Sequence, residues 1–346
     1  MNLQKLLDIS LPIIQAPMAG VQGSALAIAV SNAGGLGSLP CAMLSAEAMC
    51  KELTVIKAQT DKPFNVNFFC HIPPEASPER EARWREILSP YYQEFGIDPN
   101  SIPAGPGRLP FSDEAADVLD EFKPAVVSFH FGLPSDALLE RARRHGAKIL
   151  SSATTVEEAL WLEARGVDAI IAQGLEAGGH RGMFLTEDVT TQMGTFALLR
   201  QIVQAVKVPV IATGGISDAE GVAAAMKLGA AGVQIGTAYM LCHEATTSAV
   251  HRAALSSEAA RHTALTNIFT GRPARGIVNR IMREQGAMPA EAPEFPLATS
   301  AIAPLRAKAE SMGSGDFSPL WSGQNVTGCK AIPAAELTRH LVAELV

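Results

Sequence analysis

The chain has 346 residues, 47% of them hydrophobic and 18% charged, which fits a folded protein with a large buried core and not a disordered chain. A formal net charge of -7 argues against a broad nucleic-acid surface, which needs clustered Lys and Arg to neutralise phosphates. Five cysteines (Cys41, Cys50, Cys70, Cys242, Cys329), odd in number and without a CxxC pair, predict neither a disulfide framework nor a zinc knuckle.

No secretory pattern and no run of about 18 apolar residues is present, so a cytoplasmic protein without a membrane span is expected. No HExxH or similar acidic cluster predicts a metal.

In chain order, eight short apolar runs have the length and near-continuous apolarity of buried parallel strands: IIQAPM (13–18), GLGSL (35–39), FNVNFF (64–69), AVVSFH (125–130), KILSSAT (148–154), AIIAQG (169–174), PVIATGG (209–215) and GVQIGT (232–237). Helix punctuation separates them. Thr155 with Glu158 and Ser217 with Glu220 have capping-box spacing, and Gly166 and Gly229 stand where helices should stop. Strand, turn, capped helix, strand is the grammar of right-handed βαβ units. Eight units without a long central break predict a TIM (β/α)8 barrel over residues 1–240; an open doubly wound sheet is the rival.

Two segments depart from the repeat. Between the third and fourth strands a proline-rich insertion (about 71–123, helical near 80–92) is far longer than the usual connection and reads as a lid. After the eighth strand, 241–312 is Ala-rich and helical in period, broken by GRPARGIVNR, and reads as a helical cap on the substrate side. Residues 313–346, with FSPLWSGQ, then return to the barrel.

In such a barrel reactive groups sit at the C-terminal ends of the strands, and loops after strands seven and eight commonly hold a phosphate. Those strands end in TGG (213–215) and QIGT (234–237), where glycines admit close backbone approach and Thr237 adds a hydroxyl. Other strand ends carry the amides Gln15, Asn67 and Gln173, which suit the donor and acceptor edge of a flavin ring or simply satisfy a core. AQGLEAGGHRG (172–182) is a Gly-rich loop with His180 and Arg181. His71, His145, His243, His251 and His262 read as surface or structural.

VVSFHFGLP (126–134) places His130 where its strand ends. Both a catalytic base and a buried, backbone-bonded histidine fit that position. GGLGSL (34–39) is no dinucleotide fingerprint, because its glycines follow a helix and lead into a strand.

Together and in order, PIIQAPMAG, NAGGLGSL, FNVNFF, VVSFHFGLP, AQGLEAGGHRG, ATGGI, VQIGTAY and PLWSGQ resemble the nitronate monooxygenases, the flavin family formerly called 2-nitropropane dioxygenases, in particular class I. The resemblance implies FMN, with contacts at Met18, Asn67, Gln173, Gly178, Gly215, Gln234, Ile235, Gly236 and Thr237. His130 would be the catalytic histidine and His180 a second histidine near flavin and substrate. The implied reaction oxidises small alkyl nitronates, such as propionate 3-nitronate, with oxygen to carbonyl compounds and nitrite by single-electron transfer to FMN.

Two alternatives share the fold: an FMN-dependent NAD(P)H:quinone or enoyl-thioester reductase, and a flavin-free phosphate-binding lyase. Either a monomer or a homodimer accords with the sequence. No strand end carries the cysteine nucleophile or the lysine of neighbouring barrel enzymes; Cys70 comes nearest and has no basic partner beside it.

Overall fold

All eight expected strands form, and they close on one another. The computed structural model describes residues 2–99, 102 and 108–345. The barrel strands are β1 (Ile13–Gln15), β2 (Gly37–Pro40), β3 (Phe64–Phe69), β4 (Val126–His130), β5 (Lys148–Ala153), β6 (Ala169–Gln173), β8 (Val210–Thr213) and β9 (Gly232–Ile235). All pair in parallel, in the order β1-β9-β8-β6-β5-β4-β3-β2, and a parallel bridge between Ile14 and Leu36 joins the two ends. Three further strands, β7 (Gly179–His180), β10 (Thr263–Thr266) and β11 (Ala274–Ile277), make a small antiparallel sheet outside the barrel.

Strand side chains alternate between the barrel interior and the surrounding helices. At the bottom, Ile14, Leu36, Val126, Leu150, Ile171 and Ile211 form one buried cluster with Leu3 and Leu7 of the helix Leu3–Leu7, which plugs that end. One step up is a polar layer, where Asn65 donates to the hydroxyls of Ser38 (3.0 Å) and Ser128 (2.9 Å). Another step up, the side chains reach the open mouth. Outward residues of the same strands, among them Ile13, Val66, Val127, Ile149, Ile170 and Val233, pack under the helical ring.

The punctuation held at Thr155, whose side chain accepts from Glu158 N. It moved by one residue at the helix Ala219–Lys227, which is capped by Asp218 rather than Ser217. A carboxylate takes the cap from a neighbouring hydroxyl here because it accepts the Gly221 N–H directly, at 2.8 Å.

The insertion differs from the expected lid in two respects. Its last part, the helix Asp113–Phe122, belongs to the barrel ring, burying Ala116, Leu119 and Phe122 in the main core. Its first helix, Pro78–Phe95, is not a free flap. Trp84, Leu88 and Tyr92 share a second core with Ile302, Leu305 and Phe317, and the Tyr92 hydroxyl donates to Ala301 O at 2.6 Å. Both carboxylate oxygens of Glu94 take a hydrogen bond from Arg280 at 2.7 Å. The described parts of the insertion and the post-barrel segment therefore pack together in one layer.

That post-barrel layer is mixed, not purely helical. The helices Ala249–Leu255, Arg280–Gln285 and Ala298–Ser311 flank β10 and β11, and the GRPARGIVNR break supplies β11. Among the described residues no helix is long and apolar enough to cross a membrane.

Candidate active site

The mouth of the barrel holds an open cavity lined by the strand ends and the loops that follow them. Of the residues expected there, Met18, Asn67, His130, Gln173, Gly178, His180, Gly215, Gln234, Gly236 and Thr237 all line it. Ile235 does not. Strand alternation turns its side chain outward between Gln234 and Gly236, and it is buried against the helices.

The same alternation removes Gln15. Its side chain is fully buried in a bonded pair with Gln22 and accepts from Ser38 N at 3.0 Å. Arg181 also turns away from the cavity. Fully buried, it donates to the carbonyls of Gln173 and Gly174 (2.7 Å each) and to Gln192 (2.9 Å), and so clamps the loop after β6.

His130 ends β4 at the cavity wall, and the chain then turns through two left-handed residues, Phe131 (φ 69°) and Gly132 (φ 87°). A left-handed phenylalanine costs about 1–2 kcal/mol. Packing holds it: the Phe131 ring sits among Ala42, Phe69 and Phe295, with the Arg272 guanidinium 4.2 Å from its centre.

The two ring nitrogens of His130 are spoken for. Nε2 lies 3.2 Å from the His180 carbonyl and Nδ1 lies 2.9 Å from the Ser152 hydroxyl. A carbonyl only accepts, so Nε2 carries the hydrogen and Nδ1 takes one from Ser152. Burial, with Arg272 and Arg181 nearby, lowers the His130 pKa to about 4, so the ring is neutral at physiological pH.

His180 is placed by a pairing that the local sequence does not announce. Its strand β7 pairs with β11, His180 opposite Ala274, and Arg181 N donates to Pro273 O at 2.8 Å. The side chain is bonded to the Thr270 hydroxyl at 2.9 Å and lies edge-on to Phe295. Burial and the surrounding cations hold its pKa well below the ordinary histidine value. His71, expected to be peripheral, is also buried, packs edge-on to Phe295 at 4.7 Å and has a pKa lowered to about 4, burial first among the causes.

Gln173 spends its amide on the same loop. It donates to His180 O (2.9 Å) and accepts from Gly182 N (2.7 Å), which shapes the wall and leaves its second amide N–H without a partner among the described residues. Gln234 is the opposite case: its Oε1 is buried with no partner among the described residues. A buried orphan acceptor at a cavity wall is costly unless a ligand donor meets it.

Across the mouth, Gly214 (φ 117°) and Gly215 (φ 72°) make a turn that residues with side chains would strain, leaving bare backbone at the cavity. Thr237 Oγ1 accepts from Gly323 N at 3.0 Å, which leaves its O–H free to donate. Asn325 Nδ2 holds Gly215 O at 3.0 Å. The returning tail thus braces both loops.

Among the lining side chains that escaped the sequence reading are Ser128, Ser152, Arg108 and Trp321. Arg108 comes from the insertion, bonds Thr299 at 3.2 Å and forms no ion pair among the described residues; burial lowers its pKa to about 10, still cationic at neutral pH. Burial pushes the Cys70 thiol pKa well up, which favours the neutral thiol over the nucleophilic thiolate.

The family profile described as nitronate monooxygenase matches residues 1–344. The nitronate monooxygenase of Pseudomonas aeruginosa is 44% identical over 99% of this chain and 98% of its own length. Among solved structures, a nitroalkane oxidase from Streptomyces ansochromogenes superposes with a TM-score of 0.88 at 38% identity, covering 99% of this chain and 97% of that one. FabK from Thermotoga maritima gives 0.73 at 27% identity, over 99% and 94%. With the barrel, the cavity and its histidines in place, these likenesses make the chain an enzyme of the nitronate monooxygenase family.

Proposed function

We propose that the protein binds FMN at the barrel mouth and oxidises small alkyl nitronates with oxygen to carbonyl compounds and nitrite. The observation that carries this reading is the charge of the pocket. Arg108 lines it and Arg272 stands behind Phe131; burial is the first influence on both, and only the more distant Glu187 and Glu158 offset the charge of Arg272 among the described residues. Two desolvated guanidiniums around an aromatic chamber favour an anionic substrate, and a nitronate is an anion.

The residues suit FMN. Gly178, Gly215, Gly236 and Thr237 would hold its phosphate, and Met18, Asn67 and Gln234 its ring, the orphan Gln234 Oε1 meeting a ring donor. Bound there, FMN supplies an acceptor that takes electrons singly. Phe69, Phe131 and Phe295 exclude water beside the histidines, which strengthens the pull of Arg108 on the substrate's negative charge. His130, neutral and held in one tautomer, acts as a base where a neutral nitroalkane must first lose its α-proton; Arg108 takes the part of anion anchor.

The test is oxygen uptake and nitrite release with ethylnitronate and propionate 3-nitronate, in the absence of any nicotinamide. Turnover of several small nitronates is expected, and its absence across all of them overturns the proposal. Rapid anaerobic bleaching by NADH would favour a reductase, and a colourless protein with no gain in Tm on adding FMN would remove both flavin readings.

A further inference from the structure

We infer that Ser152 is a catalytic residue: its hydroxyl receives the substrate's α-proton and passes its own proton to Nδ1 of His130. The inference rests on the nitronate reading above and deepens its proton-transfer step.

The geometry leaves His130 no open lone pair. Its Nε2–H is committed to the His180 carbonyl, which Gln173 also holds, and its Nδ1 faces the Ser152 hydroxyl at 2.9 Å. Both Ser152 and His130 line the cavity, yet the basic nitrogen is screened by that hydroxyl. His130 is the only partner of Ser152 Oγ among the described residues, so the oxygen retains a lone pair for the cavity. His180 is tied to Thr270 through Nε2 while its Nδ1 has no partner among the described residues, so a full nitroethane rate in Ser152→Ala would assign the proton to His180 instead.

The step balances. The substrate Cα–H bond breaks and its proton goes to Ser152 Oγ while the Ser152 O–H proton moves to His130 Nδ1. The bonding pair stays on the substrate, delocalised onto the nitro oxygens as a nitronate. The serine is regenerated as a hydroxyl and the ring becomes an imidazolium, still donating from Nε2 to His180 O. A preformed nitronate has no α-proton to lose at this step and bypasses the relay.

The experiment compares wild type, Ser152→Ala and Ser152→Thr, each loaded with FMN, on nitroethane and on ethylnitronate, with ¹⁵N NMR of the His130 ring. Ser152→Ala should lose about 100-fold in kcat/KM on nitroethane, the ordinary scale of acid–base catalysis, and stay within about 3-fold on ethylnitronate. Ser152→Thr, which keeps the hydroxyl, should recover part of the nitroethane rate, and the Nε2–H tautomer should persist in Ser152→Ala. Equal losses on both substrates, no loss on nitroethane, or a change of tautomer in Ser152→Ala overturns the relay. So does a wild type that turns over ethylnitronate but not nitroethane, and that result leaves the nitronate reading standing. A wild type inactive on nitronates sinks that reading and the relay with it.

Discussion

Gly182 and His130 touch so closely that no side chain fits between them: a Cβ on Gly182 would lie 2.8 Å from Cε1 of the ring and 3.0 Å from Cβ of Ser152. The glycine lets the loop after β6 press the imidazole into its bonded position. Gly182→Ala should therefore shift the ring or the loop, at a stability cost of about 1–3 kcal/mol. Turnover of nitroethane should fall at least about 10-fold, with FMN still bound through the Gly214–Gly215 turn and Thr237, which Gly182 does not touch. Unchanged kinetics would show that the ring position is not critical.

How far the sequence spoke differs from residue to residue. The strands were legible because parallel barrel strands are buried on both faces, and each apolar run ended in a polar or glycine-rich mouth. A motif taken as a contiguous run ignores the alternation that turns the Ile235 side chain from the cavity, and the same alternation finds Ser152, two residues beyond the inward Leu150. The pairing of β7 with β11 was beyond local reading: two residues of strand are fixed by partners 94 and 96 positions away in the chain. Arg108 was hidden likewise, because its meaning depends on where an irregular insertion crosses the mouth.

Arg108 is the only cationic side chain lining the cavity among the described residues. Arg108→Met, which keeps bulk beside Phe295, should raise KM for propionate 3-nitronate about 10-fold or more, since a charge-assisted contact to an anion is worth roughly 1.5–3 kcal/mol. Nitroethane, which is neutral, should bind nearly as before. Equal effects on both substrates in steady-state kinetics would count against an anion anchor.

Buried histidines set an acid limit on stability. His71, His130 and His251 each have a folded pKa of about 4, below the ordinary value of 6.5, with burial the first cause. Between those values the unfolded chain binds protons that the folded chain does not, so stability is full above pH 6.5 and falls as pH drops toward 4. From pH 6.5 to 5 the loss is up to about 2 kcal/mol per ring, in a range where ordinary carboxylates are still mostly ionised. His251, bonded to Trp321 O at 3.0 Å, is outside the cavity and isolates the effect. Urea unfolding at the two pH values should show a smaller difference for His251→Gln than for wild type.

The returning tail is expected to control cofactor retention through a single glycine. A Cβ on Gly178 would lie 2.5 Å from Gly323 N and 2.6 Å from Ser322 C, both backbone atoms that cannot step aside as a side-chain end can. Gly178→Ala must therefore push the 322–323 segment outward, and Gly323 N is the donor that occupies Thr237 Oγ1. The neighbouring Gln324 N bond to Glu176 O, at 3.0 Å, would loosen with it. If Thr237 and the Gly214–Gly215 turn hold the phosphate, the variant should bind FMN at least about 10-fold more weakly in a fluorescence-quenching titration. The barrel strands stand apart from this contact, so far-UV circular dichroism should be retained, and riboflavin, which lacks the phosphate, should show a smaller change in affinity than FMN. An equal change for both ligands would place the phosphate elsewhere.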